Sequence, residues 1–499
     1  MKTKSFMMLI LAASMASCIN DAEVISENNV TNGSGAVQTE GVSFRFVIPN
    51  VSSGSTRTVD DSGIYDNGSP EEYALHNVNL YLFNSETGNF YNSYAVENLQ
   101  LVSTDANGAS YSCNSIVIEP GTYQVFAIAN ADISIIQPST VDNLLSSVSS
   151  LASGELGSVP ASGFIMTNRG NQSPVVTIQT DAHASASITL ERTVAKLMLR
   201  SNSDTYQLLD KSGLPYADIK PANYSFVNLS KDYYLFRHVA TLPDAAETPS
   251  PLTYWSLDEH NFDVIPSTNG YAIDPHFFEK TVAGAATFDG SAIFTNPISA
   301  AGSLSFSGTF PTASSGQYSS FYALGNCAFR PAQLQGYMTG AVIKCNMTPY
   351  ADRCFDENGD AADINNYNTL YYFNYNFYTS LQAVRNVGKG NIPSGSDPSD
   401  EVLATFNIKK FTKSQGSYNC YYNYWIKHLD NGLPTTMGVM EYAVVRNNMY
   451  RITITNIRGL GEGTPNTDPV IPVEEDGYLD TDYNVEPWIV RDDSNVELG

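Results

Sequence analysis

The chain has 499 residues, of which 11% are aromatic and only 15% charged, and its formal net charge is −25 at pH 7. That length suits two to three domains of roughly 100–200 residues each, and the acidity excludes polyanionic partners, nucleic acid and anionic bilayer surfaces above all. Frequent Tyr, Phe, Thr, Val and Ile, turn residues at short intervals and scarce helical periodicity point to an all-β protein.

From the N-terminus, residues 1–17 have the form of a lipoprotein signal peptide. Lys2 and Lys4 supply the positive region, Phe6 to Ala13 the apolar core, and Met15-Ala16-Ser17-Cys18 a small-residue site ending in cysteine. The apolar run is shorter than the ~20 residues a bilayer-crossing helix needs, so membrane attachment would rest on a lipid at Cys18. The first strand is expected at Val42 to Ile48, where Val42, Phe44, Phe46 and Ile48 alternate with Ser43 and Arg45, and Arg45 should be shielded inside it. A polar, Gly-containing loop follows, Val51 to Thr58, with Arg57 near its end. Backbone of this kind is open to proteases.

Further strands are predicted at Val78 to Phe83, Thr122 to Asn130, Thr193 to Leu199, Ala222 to Val227, Leu370 to Phe377, Cys420 to Ile426 and Met449 to Ile457, with the best helix near Val141 to Leu151. In the fourth of the strands so far named, Ala195, Leu197 and Leu199 share a face while Lys196 points away. Ser201 to Ala217, polar and interrupted by Gly213 and Pro215, is the expected boundary between two β-sandwich domains.

Catalysis has little support. His76, His183, His238, His260, His276 and His428 fall in no metal-binding spacing, and neither a G-x-S-x-G elbow nor a P-loop is present, so no catalytic residue, cofactor or metal is assigned. Asp356 to Asp363 places oxygen side chains at alternate positions, as a calcium loop does. It departs from the EF-hand by having Gly359 at the fourth position and Tyr367 at the twelfth, and a solvated acidic turn is the simpler reading. Two aromatic runs, Tyr371 to Tyr378 and Tyr421 to Trp425, invite a sugar-stacking reading, but alternating aromatics on strands favour core and cross-strand packing. Beyond Cys18, the cysteines Cys113, Cys327, Cys345, Cys354 and Cys420 are an odd set, so at least one thiol stays free; buried thiols with one or two bridges are expected.

At the C-terminus, Tyr450, Ile452 and Ile454 face one side of a strand and Arg451, Thr453 and Thr455 the other. Residues Gly459 to Gly477 then carry Gly, Pro, Asp and Glu in place of a packing pattern, and extended they reach ~60 Å at about 3.3 Å per residue. Beyond them sits one apolar piece, Asn484 to Val490. Its backbone needs a host strand, which is either the edge of its own last domain or another molecule.

Several blocks together resemble the Mfa1-type major fimbrial subunits of Bacteroidales, the type V pilins of the fimbrillin family. They are Glu191-Arg192-Thr193-Val194-Ala195, Val444-Val445-Arg446-Asn447-Asn448-Met449-Tyr450 running on to Leu460-Gly461, Val485-Glu486-Pro487-Trp488-Ile489-Val490, and the lipobox. The resemblance implies two transthyretin-like β-sandwich domains with few short helices, export as a lipoprotein, and an Arg-specific protease that removes the lipid and the first strand. The expected cut lies between Arg57 and Thr58; Val42, Phe44, Phe46 and Ile48 mark the removable strand, and Val485, Pro487, Trp488, Ile489 and Val490 the donor strand that fills the groove of the next subunit. The implied layout is a signal peptide at 1–17, a propeptide at 18–57, sandwiches at 58–210 and 211–458, and a tether with donor tail at 459–499. The expected function is that of a surface-fimbria shaft subunit, supporting adhesion and biofilm formation, its precursor at the outer membrane and its mature form in the filament. Its partners would be copies of itself, anchor and tip subunits, the protease and an unidentified receptor, with no nucleic acid. The alternatives are a monomeric surface lipoprotein that binds glycan or protein, or a tip or anchor subunit.

Overall fold

The computed structural model describes residues 41–49, 69–105, 108–131, 136–150, 156–169, 172–180, 182–237, 265–267, 270–272, 294–298, 304–327, 334–388, 392, 398–428, 441–466, 468–469, 471, 473 and 478–487. Cys18, Arg57, Thr58, Trp488, Ile489 and Val490 lie outside them. The expected all-β class holds: strands dominate, and the α-helices among the described residues are the short α1 (Val141–Leu145), α2 (Leu381–Gly388) and α3 (Asp400–Ala404). The first helix is shorter than the sequence predicts, and residues 148–150 leave it as strand. No helix among the described residues is long and apolar enough to cross a membrane.

The first sandwich is built from β1 (Gly41–Pro49), β2 (Val78–Asn84), β3 (Phe90–Ala95), β4 (Gln100–Asp105), β5 (Gly108–Ser112), β6 (Gly121–Ala129), β7 (Met166–Asn168), β8 (Val175–Ile178) and β9 (His183–Arg192). They pair in the order β3-β2-β6-β7-β9-β1-β5-β4, with β8 also on β6. Strand β9 changes partner midway: its first part, His183 to Thr189, runs parallel to β1, and Leu190 to Arg192 run antiparallel to β7. One strand therefore joins two layers. Between them lies a core in which Phe44, Phe46 and Ile48 meet Leu80, Leu82, Phe83, Phe126 and Ile188.

The second sandwich uses β10 (Val194–Ser201), β11 (Tyr206–Leu209), β12 (Pro215–Val227), β13 (Ser319–Leu324), β14 (Gly340–Pro349), β15 (Thr369–Phe373), β16 (Asn376–Tyr378), β17 (Lys409–Ser414), β18 (Ser417–Trp425), β19 (Asn448–Ile457) and β20 (Leu479–Pro487). One sheet runs β13-β10-β19-β20 and the other β11-β12-β14-β18-β17-β15-β16. Ala195, Leu197, Leu199, Tyr450, Ile452 and Ile454 of the smaller sheet pack against Ile219, Phe226, Ile343 and Tyr422 of the larger. The expected boundary at 201–217 is a hairpin inside this sandwich: Asp210 Oδ1 accepts from the N–H groups of Ser212 and Leu214, at 2.8 and 3.0 Å, and closes the turn from β11 to β12. The aromatic run read as one strand over Leu370 to Phe377 is also a hairpin, because Asn374 and Tyr375 take φ of 50° and 62° and turn β15 into β16.

Two polar positions differ from expectation for one physical reason. Lys196 and Arg451 point away from the second core, as alternation predicts, yet both are buried. The far face of their sheet is covered: Val194, Met198, Tyr322, Leu324 and Met449 join the first core. Lys196 is neutralised there by Glu72 at 2.9 Å, and Tyr322 donates its hydroxyl to the same carboxylate. A charge in so dry a place persists only when paired.

Arg45, expected to be shielded, has an exposed side chain; only its backbone is covered, by β9 and β5. This gives a direct contrast within one strand. Phe46→Ala should lower stability by about 3–5 kcal/mol through the cavity it leaves, whereas Arg45→Ala should change it by less than about 0.5 kcal/mol, both measured by urea unfolding of the full chain.

Candidate functional site

The site has two parts, the slot that holds β1 and the C-terminal strand. In the slot, Gly41 to Val47 pair parallel with β9 and Arg45 to Pro49 pair antiparallel with β5. Val42 extends the second side by exchanging two 2.9 Å backbone bonds with Ile116. Val42, Phe44, Phe46 and Ile48 are all buried, as the alternation predicts, and the Phe44 and Phe46 rings stack at 6.5 Å. Small partners on β9, Ala184 and Ala186, stand opposite Val42 and Phe44 in the register. The strand begins at a glycine because φ of 116° is required there and a Cβ would meet the Ile116 carbonyl oxygen at 3.0 Å.

At the other end, β20 is the edge strand of the smaller sheet, antiparallel to β19, with Val485 opposite Tyr450 and Pro487 opposite Asn448. Of the two hosts the sequence left open for this piece, the structure places Leu479–Pro487 on the edge of its own domain. The preceding stretch, expected to be a tether without packing, is pinned to the domain. Lys409 Nζ donates to the carbonyls of Leu460 and Gly461 at 2.7 and 3.4 Å, pairs with Glu462 at 2.8 Å and lies 4.8 Å from the Tyr478 ring centroid. Glu462 exchanges backbone bonds with Tyr421, and the N–H groups of Gln335 and Gly336 donate to Ile471 and Pro469. Leu460 and Val473 are buried. Composition hid this attachment: Gly463 is small because its backbone crosses Lys410, whose carbonyl oxygen would lie 1.8 Å from a Cβ. Arg458 ties the start of β20 through Asp480 at 2.7 Å.

The competing sites resolve into local structure. Asp356 Oδ1 accepts from Asn358 and Asp360 N–H groups, which makes the acidic segment a self-capped turn. No cluster of three metal-binding side chains occurs among the described residues. Of the aromatic runs, Phe377, Tyr378, Tyr422, Tyr424 and Trp425 are buried. His428 is buried as well, with Nδ1 2.8 Å from the Tyr450 hydroxyl. No bridge joins the cysteines whose side chains are described: Cys113, Cys345, Cys354 and Cys420 are free thiols.

Two family models match the chain. Residues 411–494 match the major fimbrial subunit protein type IV, fimbrillin, C-terminal family, and residues 47–279 match the fimbrillin-A associated anchor proteins Mfa1 and Mfa2. Both models describe fimbrillin-type fimbrial proteins, one over the C-terminal part of the chain and the other over its N-terminal half. Among solved structures it is similar to a fimbrillin (FimA) from Porphyromonas gingivalis W83, with 14% identity over 91% of this chain and 99% of that one and a TM-score of 0.40. It is similar also to a candidate cell adhesion protein from Parabacteroides distasonis ATCC 8503, at 13% identity over 90% of this chain and 99% of that one, TM-score 0.42. A third is the C-terminally truncated tip fimbrial protein Mfa3 of P. gingivalis, at 10% identity over 89% of this chain and 100% of that one, TM-score 0.32. No curated protein matches the chain. Neither family description is that of an enzyme, and fimbrial families imply a place at the cell surface.

In this fimbrillin-type chain the two sequence blocks around Arg192 and Asn447 meet in one buried seam. Asn447, at φ of 58°, donates its N–H to the Val194 carbonyl at 2.8 Å, and its Oδ1 accepts from Arg192 at 3.1 Å. Arg192 Nε reaches the Glu72 carbonyl at 2.8 Å, Arg446 donates to the carbonyls of Tyr234 and Leu235, and Glu191 pairs with Arg237 at 2.6 Å. Burial lowers both Arg192 and Arg446 to about 10. The Tyr450 hydroxyl accepts from the Val445 N–H at 2.7 Å and so closes the turn within the second block. These residues hold the two sandwiches together.

The pinned segment is testable by itself. Lys409→Ala removes charge-assisted bonds worth about 1–2 kcal/mol at a partly exposed site, so amide exchange over residues 460–466 should quicken roughly tenfold while exchange in β1 stays unchanged. Equal exchange in both proteins would show that Lys409 does not hold the segment.

Proposed function

We propose that the protein is a shaft subunit of a surface fimbria that polymerises by strand exchange. In this reading it is exported as a lipoprotein acylated at Cys18, cut between Arg57 and Thr58 by an Arg-specific protease, and thereby relieved of residues 18–57, β1 included. Losing β1 uncovers the places of four apolar side chains, each worth roughly 1.5–3 kcal/mol when buried, and leaves the edges of β9 and β5 unpaired. The strand bearing Val485, Pro487, Trp488, Ile489 and Val490 of another copy then fills the slot. Donor and slot lie at different places on one chain, so the contact repeats into a filament. Adhesion and biofilm formation would be properties of that filament, with anchor and tip subunits at its ends.

The observation that carries this reading is the placement of the two strands. Strand β1 lies between two neighbours, and the sequence that follows it is polar and contains Arg57. Among the described residues strand β20 has one neighbour and sits on an edge, so it can leave without opening a core sheet.

A second reading has an observation of its own: residues 47–279 match the anchor family. An anchor subunit would keep its lipid. The N-terminal residue of protein taken from the cell surface separates the two, being Thr58 for a shaft subunit and acylated Cys18 for an anchor.

Two expected outcomes follow for the shaft reading. A chain lacking residues 483–499 should fold, remain soluble and form no fibres under electron microscopy; normal fibres would refute the donor role. Arg57→Ala should accumulate lipidated precursor on immunoblots of membrane fractions, and unchanged maturation would move the cut elsewhere.

A further inference from the structure

Strands β14 and β18 run antiparallel at the middle of the larger sheet, and their register sets Cys345 directly opposite Cys420. Residues opposed in this way have Cα atoms about 4.5 or 5.5 Å apart, and both separations fall within the roughly 4.4–6.8 Å that a disulfide spans. Opposed side chains also leave the sheet on the same face, here into the second core, where both thiols are completely buried. The other described thiols have no such partner. Cys354 stands opposite Phe377 and donates to the Tyr350 carbonyl, and Cys113 donates to the Phe44 carbonyl.

We infer that Cys345 and Cys420 form a disulfide that cross-links β14 to β18 when the chain folds in the presence of a disulfide oxidant. The thiolate of one cysteine attacks a sulfur of the oxidant, giving a mixed disulfide and releasing one thiol. The second thiolate then attacks the protein sulfur of that mixed disulfide, forming the Cys345–Cys420 bond and releasing the second thiol. Two electrons and two protons pass to the oxidant, which ends as two thiols. The exchange precedes closure of the core: burial, then the facing Cys420, pushes the Cys345 thiol well above its ordinary range, so the thiolate that must attack is suppressed once the sheet is packed. The bond closes a loop that contains β15, β16, β17, α2 and α3, and it restrains that whole excursion in the unfolded chain.

The test is thiol trapping of the full chain, in two samples. One is refolded from denaturant in a glutathione and glutathione-disulfide buffer, and the other is exported by cells and isolated under N-ethylmaleimide. Each is unfolded in excess N-ethylmaleimide without reductant, digested and mapped by mass spectrometry. The expected result is a Cys345 peptide linked to a Cys420 peptide, neither labelled, separating on reduction, with a higher urea midpoint for the oxidised than for the reduced chain. Cys420→Ser should lose both the link and the shift. The link in either sample supports the assignment. Labelled Cys345 and Cys420 in both samples, or a bond from either of them to a different cysteine, overturns it.

Discussion

The first sandwich depends on a strand held from both sides. Strand β1 brings four apolar side chains into the core and offers backbone groups to β9 on one edge and to β5 and Ile116 on the other. A buried strand cannot leave such groups unpaired, since each orphaned N–H or C=O loses its water without gaining a partner. The sheet is therefore complete only while some strand of period two occupies that place. The ladder itself is indifferent to which chain provides the strand, because backbone bonds and alternating side chains carry no record of covalent connection.

That indifference has limits set by the seam between the sandwiches. Glu72, Arg192, Lys196, Asn447 and Tyr322 lie buried between the two cores, and the sheet containing β10 and β19 gives one face to each. A slot whose walls could drift apart would lose its shape as soon as β1 left. Buried ionic groups of this kind add little net stability over an apolar replacement, yet breaking one partner is costly, which makes the seam specific in geometry. The two blocks around Arg192 and Asn447 are thus explained by the joint they build, and the strands at issue in the proposed exchange lie on either side of it.

How far this was legible in the sequence depends on how many faces of each element are dry. Strand β1 could be located from its alternation and its buried face named, but Arg45, expected to be shielded, is exposed because the other face of this strand is open to solvent there. Strands β10 and β19 could be located and their core faces named, but the burial of their far faces could not be read, because Lys196, Arg451 and Thr453 look like solvent positions and are buried beneath a second core. The turn at Asn374 and Tyr375 was invisible among aromatics, since positive φ at a tyrosine has no compositional signature. The segment after Gly459 misled most. Gly and Pro there suggested a free tether, whereas the partner that holds it, Lys409, lies some fifty positions earlier, where no local pattern can reveal it.

The proposed exchange can be weighed by counting ladders. Among the described residues of its own domain β20 is bonded only to β19, and that pairing is interrupted by a register shift between Ile454 and Asn456. A strand in the β1 slot is bonded on two sides, so moving from the edge to the slot adds a second row of bonds, each worth about 0.5–1.5 kcal/mol net, together with the apolar burial. Proline bears on where the donor sits. The two ladders around β1 overlap fully only over Arg45 to Val47, and before that stretch the strand is paired mainly with β9. Pro487 lacks an N–H and would lose least at such a one-sided position. If Val485, Pro487 and Ile489 take the places of Val42, Phe44 and Phe46, the proline falls at Phe44, which lies outside the β5 ladder. The exchange therefore needs no bulge to accommodate it, and the gradient from one ladder to two runs toward the filament only after β1 has been cut away.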